Sequence, residues 1–207
     1  MPRFVNLLTG DLVSTAYKVM YSTMVGTEVL REIGEVEFII KAAKKLLHQE
    51  RLLIAVRNPY ARLASFFADK LRRDLEREDG GWQFSQVIFF SLVNVTADDS
   101  FETIRSRLGS ISFEAFVDYL PQVRMNGHLR PQADLLRAGD LDLVSHSTAF
   151  QVETDLQRLW AHLGIRRPQR KNATFSHFDP AILSQQRLDL INEVYLSDFE
   201  SFGYERC

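Results

Sequence analysis

The sequence predicts an α/β fold in which a small parallel sheet is flanked by helices. Short apolar runs typical of buried strands alternate with segments of helical periodicity, which is the pattern of that class. Residues 52–56 are continuously apolar, as in a strand covered on both faces. The chain of 207 residues is 45% hydrophobic and 25% charged, which is enough apolar material for one core. We therefore predict a single domain over residues 1–207.

The elements follow from local patterns. Residues 35–49 place apolar side chains near one helical face, with lysines opposite. Asn58 and Pro59 suit a helix start, because proline lacks an N–H that would be unpaired there, and Gly164 suits a helix end. Residues 82–97 fit either a strand or a buried helix. The predicted strands are 3–8, 52–56 and 141–146, and the main predicted helices are 35–49, 59–77, 149–164 and a C-terminal segment that ends near residue 199.

Composition excludes several classes of function. A net charge of −2 gives no general signal for nucleic acid or membrane binding, and no stretch of about 18 apolar residues predicts a membrane span. The apolar N-terminal stretch is too short for a signal peptide, so we expect a soluble, cytoplasmic protein. The one cysteine, Cys207, forms no internal disulfide. We predict no metal site, because four of the five histidines lack metal-ligand spacing: His48, His146, His162 and His177.

Two segments have the features of an anion-binding turn between a strand and a helix. In the first, "LLTGDLVSTAYK", Gly10 permits a tight turn, and the hydroxyls of Ser14 and Thr15 are donors suited to a phosphate. The segment is not a Walker A loop, because no Gly-Lys-Ser/Thr follows. An ordinary Ser/Thr helix cap is the alternative interpretation.

The second segment is "RLLIAVRNPYARLASFFADK", where Arg57 follows the strand 52–56 directly. Ligands of α/β sheets bind at the carboxyl ends of strands, and a planar guanidinium suits bidentate contact with a phosphate. Arg62, Ser65 and Asp69 share one face of the following helix, since they are three and four residues apart. The alternative is a surface helix on which Arg62 pairs with Asp69.

The stretch "VRNPYARLASFFADK" resembles the second nucleotide-binding motif of the carbohydrate sulfotransferases, and only Asn58 departs from that motif. Three further stretches resemble segments of the same family in the same order. They are "GHLRPQADLL", "HSTAFQVETDLQRLWAHLGI", and a C-terminal part that runs from "KNATFSHFDP" to "INEVYLSDFESFGY".

The resemblance implies a P-loop NTPase-like sulfotransferase fold and transfer of a sulfuryl group from 3′-phosphoadenylyl sulfate to a hydroxyl, usually on a carbohydrate. In that case Arg57 and Ser65 hold the 3′-phosphate of the donor. The turn that contains Ser14 and Thr15 takes the place of the family's first motif, which cradles the 5′-phosphosulfate. Asn172, with Lys171 as a second candidate, lies where the family closes a loop over the nucleotide.

The first motif departs from the family pattern, because Asp11 stands at the position of the expected lysine when the segment is aligned on Ser14 and Thr15. A cation there would stabilise charge on the bridging oxygen of the leaving group. Lys18 is the substitute, with a solvent-facing lysine as its alternative. His128, in a polar loop, is the candidate acceptor-side base, with a solvated or structural histidine as its alternative.

Two rival functions stay open. A catalytically impaired relative would keep the scaffold as a nucleotide-binding or assembly module, which Asp11 favours. A nucleoside-phosphate kinase is the other rival, and the absence of a Gly-Lys-Ser/Thr loop argues against it. The sequence does not indicate the acceptor or the oligomeric state.

Overall fold

A computed structural model describes residues 1–16, 19–76, 82–137, 143–165 and 178–207. The strands are β1 (Arg3–Asn6), β2 (Leu12–Thr15), β3 (Leu30–Glu32), β4 (Leu52–Val56) and β5 (Ser147–Gln151). The helices are α1 (Tyr21–Val25), α2 (Glu35–Leu47), α3 (Pro59–Lys70), α4 (Phe84–Val87), α5 (Phe101–Gly109), α6 (Phe113–Val123), α7 (Gln132–Leu136), α8 (Leu156–His162), α9 (Gln185–Val194) and α10 (Leu196–Phe202), and the 3₁₀ turns are Arg73–Glu76 and Pro180–Ile182. The predicted α/β class is confirmed in its general form.

The strands form one mixed sheet in the order β3-β1-β2-β4-β5. β2, β4 and β5 are parallel to one another, whereas β1 is antiparallel to both of its neighbours. The prediction of a parallel sheet is therefore wrong for β1 and β3, because the tight turn at Gly10 pairs β1 antiparallel with β2. Thr15 of β2 lies beside Ala55 of β4, and Val56 of β4 lies beside Gln151 of β5. The three parallel strands therefore end at the same edge of the sheet, which we call the carboxyl edge.

The chain divides into two compact units, which are described separately. The first unit contains residues 1–59, 131–173 and 197–204, and it carries the sheet. Both faces of β4 are covered, as the continuous apolar run predicted. Leu53 and Ala55 join one buried cluster with residues of α8, while Leu52, Ile54 and Val56 join another with residues of α2 and α7. This double burial explains why the strand carries no polar side chain.

The second unit contains residues 60–130, 174–196 and 205–207. An aromatic cluster forms part of its core: Phe66 of α3 contacts Phe89, and it stacks on Phe116 of α6 with ring centroids 5.8 Å apart. Serine caps begin two helices of this unit, because Ser100 accepts a hydrogen bond from the N–H of Thr103 at the start of α5 and Ser112 accepts one from the N–H of Ala115 at the start of α6.

Two predictions about the elements are wrong. Residues 143–146 form a turn, and the strand begins only at Ser147, so β5 occupies the start of the predicted helix 149–164. The apolar spacing of that segment fits a helix, but parallel pairing with β4 overrides it.

The other error concerns "TGDLVST", which is not a turn between a strand and a helix. It is the tip of a β-hairpin followed by β2, and Gly10 supplies the left-handed conformation of the tip with φ of +76°.

Among the described residues, no helix has both the length and the apolar character needed to cross a bilayer.

Candidate functional site

The carboxyl edge of the sheet is where the first unit places Arg57. β4 ends at Val56, so Arg57 is the first residue beyond the buried strand, and it is half-buried. The chain then enters α3 at Pro59, as the sequence predicted. The order of a buried strand, an arginine and a helix start is therefore present as inferred.

A single side-chain amide holds the backbone of Arg57. The Oε1 atom of Gln132 accepts a hydrogen bond from the Arg57 N–H at 3.0 Å, and its Nε2 atom donates to the Arg57 carbonyl at 2.7 Å. Gln132 is fully buried, at 0% exposure. It pairs with Arg57 much as a neighbouring strand would, one residue past the end of the strand pairing.

The Gln132 amide is itself held by Asp198. Nε2 of Gln132 also donates to Oδ2 of Asp198 at 3.1 Å, and Oδ1 of Asp198 accepts from the N–H of Ala133 at 2.7 Å. Asp198 is also 0% exposed, and a buried carboxylate needs such donors to offset its lost hydration. The segment after β4, the start of α7 and α10 thus meet in one polar network.

A second group holds the residue after Arg57. The Glu153 carboxylate accepts a hydrogen bond from the Asn58 N–H and another from the Tyr204 hydroxyl, both at 3.0 Å. Burial, and then the adjacent Glu153 carboxylate, raise the pKa of Tyr204 far above its ordinary value, and the positive charge of Arg57 offsets this in part. Tyr204 therefore stays protonated and serves as a donor at any physiological pH.

Ser14 and Thr15 lie at the end of β2, with 1% and 0% exposure. The Thr15 hydroxyl donates to the carbonyl of Val19 at 2.7 Å, and the Ser14 hydroxyl makes a longer contact of 3.4 Å with the carbonyl of Pro2. Both hydroxyls thus face backbone carbonyls of the same unit. Their predicted contact with a phosphate stays a prediction, and it concerns β2 rather than a turn.

Asp11 lies at the opposite end of β2 from Thr15, which places it about 13 Å away along the strand. Its carboxylate accepts a hydrogen bond from Thr9 at 2.5 Å and lies 3.7 Å from the Lys45 ammonium. The carboxylate is therefore at the amino end of the parallel strands, not at their carboxyl edge.

The second unit contains Ser65 and His128. Arg62, Ser65 and Asp69 of α3 are 2%, 4% and 8% exposed, so the alternative of a surface helix is wrong. The Ser65 hydroxyl has no hydrogen-bond partner among the described residues.

His128 is half-buried, and its ring lies 6.1 Å from that of Phe66. The two residues that follow it are both held, because Arg62 donates to the carbonyl of Arg130 at 2.9 Å and Tyr195 donates to the carbonyl of Leu129 at 2.6 Å. His128 therefore occupies an ordered place in the second unit.

Lys18, Lys171 and Asn172 lie outside the described residues. Lys18 belongs by sequence to the connection between Thr15, at the end of β2, and Tyr21, at the start of α1. No cluster of three or more His, Cys, Asp or Glu side chains suited to a metal occurs in the described part of the chain.

Sequence reasoning did not predict that Gln132, Asp198, Glu153 and Tyr204 hold the segment around Arg57. All four occur in the stretches that carried the resemblance, namely "GHLRPQADLL", "HSTAFQVETDLQRLWAHLGI" and the C-terminal "YLSDFESFGY". Their presence in these stretches was the only sign in the sequence that they matter to the site. Only the structure shows that Gln132 and Glu153 contact the backbone of Arg57 and Asn58. It also shows that Asp198 contacts Gln132 and that Tyr204 contacts Glu153.

The first unit thus defines an α/β protein with a cationic residue at the carboxyl edge of three parallel strands, where such folds take anionic ligands. A model of the sulfotransferase family matches residues 36–205, which is more than half of the chain. The chain belongs to the sulfotransferase family, and the resemblance to sulfotransferases is confirmed. The matched range begins beyond Lys18 and does not include the first motif. Neither the curated proteins nor the solved structures contain a match to the chain.

The buried hydroxyl of Thr15 provides one test of the site's architecture. Thr15→Val leaves the Val19 carbonyl without its donor and should lower the free energy of unfolding by about 1–3 kcal/mol. Urea denaturation measures the change. The matched control is Thr148→Val in β5, because the Thr148 hydroxyl makes no hydrogen bond among the described residues. Equal losses in the two variants would contradict a structural role for the Thr15 hydroxyl.

The raised pKa of Tyr204 predicts a loss of stability in alkali. The folded chain holds the phenolic proton more tightly than the unfolded chain, so this contribution is complete below about pH 10 and is lost as the pH rises further. Tyr204→Phe should lose less stability between pH 8 and pH 11 than the wild type, as measured by urea denaturation at each pH. Parallel losses in both chains would argue against the assignment.

Proposed function

We propose that this sulfotransferase moves a sulfuryl group from 3′-phosphoadenylyl sulfate to a hydroxyl acceptor, with a carbohydrate as the first candidate. The observation that carries the proposal is the position of Arg57. This residue is held at the carboxyl edge of the sheet, inside a motif that resembles the family's nucleotide-binding motif. A guanidinium at that place suits the 3′-phosphate of the donor. The P-loop-like character of the fold is part of the same proposal.

In the proposed reaction the acceptor oxygen attacks sulfur in line with the leaving group. A new sulfur–oxygen bond forms, and the bond between sulfur and the 5′-phosphate oxygen breaks. The acceptor proton passes to a base, for which His128 is the candidate. The products are a sulfate ester and adenosine 3′,5′-bisphosphate.

Besides the base, the residues have four roles in this proposal. Arg57 and Ser65 bind the 3′-phosphate. Lys18, in the connection that leaves the carboxyl end of β2, stabilises the charge that develops on the bridging oxygen. Ser14 and Thr15, at the end of β2, are the candidate donors to the 5′-phosphosulfate, by the resemblance. Asn172 closes over the nucleotide, by the resemblance alone.

The position of Asp11 weakens one of the two arguments for a catalytically impaired module. Those arguments are that no lysine stands at the Asp11 position and that the Asp11 carboxylate, if it lay beside the anionic donor, would repel it. Its place near Lys45, at the amino end of β2, keeps the charge about 13 Å from the carboxyl edge, and at that separation water and salt screen most of the repulsion.

The first test is the affinity for adenosine 3′,5′-bisphosphate, measured by calorimetry. Arg57→Ala should weaken binding by about 1.5–3 kcal/mol, because a hydrogen-bonded contact with a charged group is lost. Arg51→Ala is the matched control. Arg51 precedes the same strand at its other end, where its side chain donates to the carbonyl of Ser147 at 3.2 Å. Unchanged affinity in Arg57→Ala would rule out the phosphate contact.

An assay of labelled sulfuryl transfer to a panel of glycans then separates the candidates. Binding of the bisphosphate together with transfer supports the proposed function. Binding without transfer to any acceptor supports the non-catalytic module. If the wild type does not bind the bisphosphate, both assignments fail, and hydrolysis of ATP would favour a kinase.

A further inference from the structure

We propose that Gln132 is a positioning residue for donor binding, which acts by holding the backbone from which the Arg57 side chain extends. The proposal rests on the proposed function for the identity of the ligand and on the geometry of the first unit for the role of Gln132. Asp198 is its second element, because it locks the orientation of the Gln132 amide.

The Gln132 amide binds the backbone of Arg57 one residue beyond the end of the strand pairing. The pairing of β4 with β5 ends at Val56 and Gln151, and the pairing with β2 ends at Ala55. Arg57 is therefore the first residue beyond the strand pairing, at the point where the chain turns into α3. The Gln132 amide supplies an acceptor and a donor to the same residue, at 3.0 and 2.7 Å.

The amide cannot be reversed. Its two N–H groups serve the Arg57 carbonyl and the Asp198 carboxylate, and its oxygen serves the Arg57 N–H. Rotation of the amide by 180° would place its oxygen against the Arg57 carbonyl and the Asp198 carboxylate. It would also turn the NH₂ group toward the Arg57 N–H. Because both side chains are fully buried, water cannot relieve these clashes. The network therefore has one orientation, and it holds the backbone of Arg57 in one place.

A fixed backbone matters because arginine reaches its ligand through a long, flexible side chain. Ordering that chain costs conformational entropy, and a backbone that also moves adds to the cost and misplaces the guanidinium. Small displacements of a binding group, near 1 Å, can change rates about 100-fold. Gln132 thus affects donor affinity through Arg57, without itself contacting the donor.

The test is a double-mutant cycle on the full chain with adenosine 3′,5′-bisphosphate as the probe. Gln132→Ala should raise the dissociation constant roughly 10- to 100-fold in the wild-type background. In the Arg57→Ala background the same change should alter it by no more than about twofold, because the residue through which Gln132 acts is gone. Gln132→Met, which keeps most of the volume, replaces Gln132→Ala if the alanine variant does not fold.

The matched control is Asn6→Ala. Asn6 is also fully buried in the first unit, and its side chain donates to the carbonyl of Leu163 at 2.9 Å and accepts from the N–H of Leu8. It lies at the end of β1, beside the amino end of β2. A general loss of stability would affect both variants, whereas only the Gln132 variants should weaken binding of the bisphosphate by the folded protein.

Two results of the binding measurements overturn the proposal. One is a Gln132 variant that is destabilised like Asn6→Ala but binds the bisphosphate with unchanged affinity. The other is a full 10- to 100-fold effect that persists in the Arg57→Ala background, because Gln132 would then act independently of Arg57.

Hydrogen exchange at the Arg57 amide separates this proposal from the proposed function. Loss of the bond to Gln132 should speed that exchange by about tenfold, and Asn6→Ala should leave it unchanged relative to global stability. If the wild type does not bind the bisphosphate, the donor assignment fails, and the exchange alone decides whether Gln132 holds Arg57. Unchanged exchange at Arg57 in the Gln132 variants overturns the proposal regardless of binding.

Discussion

Most of the described site depends on the position of β4 between two parallel neighbours. β4 is buried on both faces, paired on both sides and apolar throughout, so its first charged residue, Arg57, comes only after the strand ends. The chain leaves the sheet at Arg57, one residue beyond the strand pairing and half-buried. Buried backbone groups must be paired, and side chains from distant segments pair them here. The support around Arg57 is thus a consequence of where the strand stops.

The same physical requirement explains why several distant segments contribute to one place. Gln132 pairs with Arg57, Asp198 holds Gln132, and Glu153 with Tyr204 holds Asn58. Each segment had matched the sulfotransferase pattern without an evident reason for its polar residues. Within the second unit, Arg62 and Tyr195 hold the segment around His128 by the same device, a side chain that donates to a backbone carbonyl. In both units, long-range polar contacts order the segments that carry the candidate residues.

The errors in the prediction have a common physical origin. Ser147–Gln151 has apolar spacing compatible with a helix, yet it forms β5 because β4 offers a free edge on that side. Gly10 indicated a turn correctly, but the turn joins two antiparallel strands, so Thr15 ends a strand and its hydroxyl donates to Val19. Asp11 consequently lies at the amino end of β2. Local patterns predict where the chain turns, whereas pairing partners decide which element follows.

The sequence by itself determined the α/β class, the central buried strand, the helix that starts at Pro59 and the place of Arg57 between them. These features depend on periodicity, burial and turn chemistry within about twenty residues. Only the tertiary structure decided that Gln132 and Asp198 hold the backbone of Arg57, and that Arg62 and Ser65 are buried rather than exposed on a surface helix. Those facts depend on which groups lose water and on which partners reach them across 60 or more residues, and no local pattern encodes such distances.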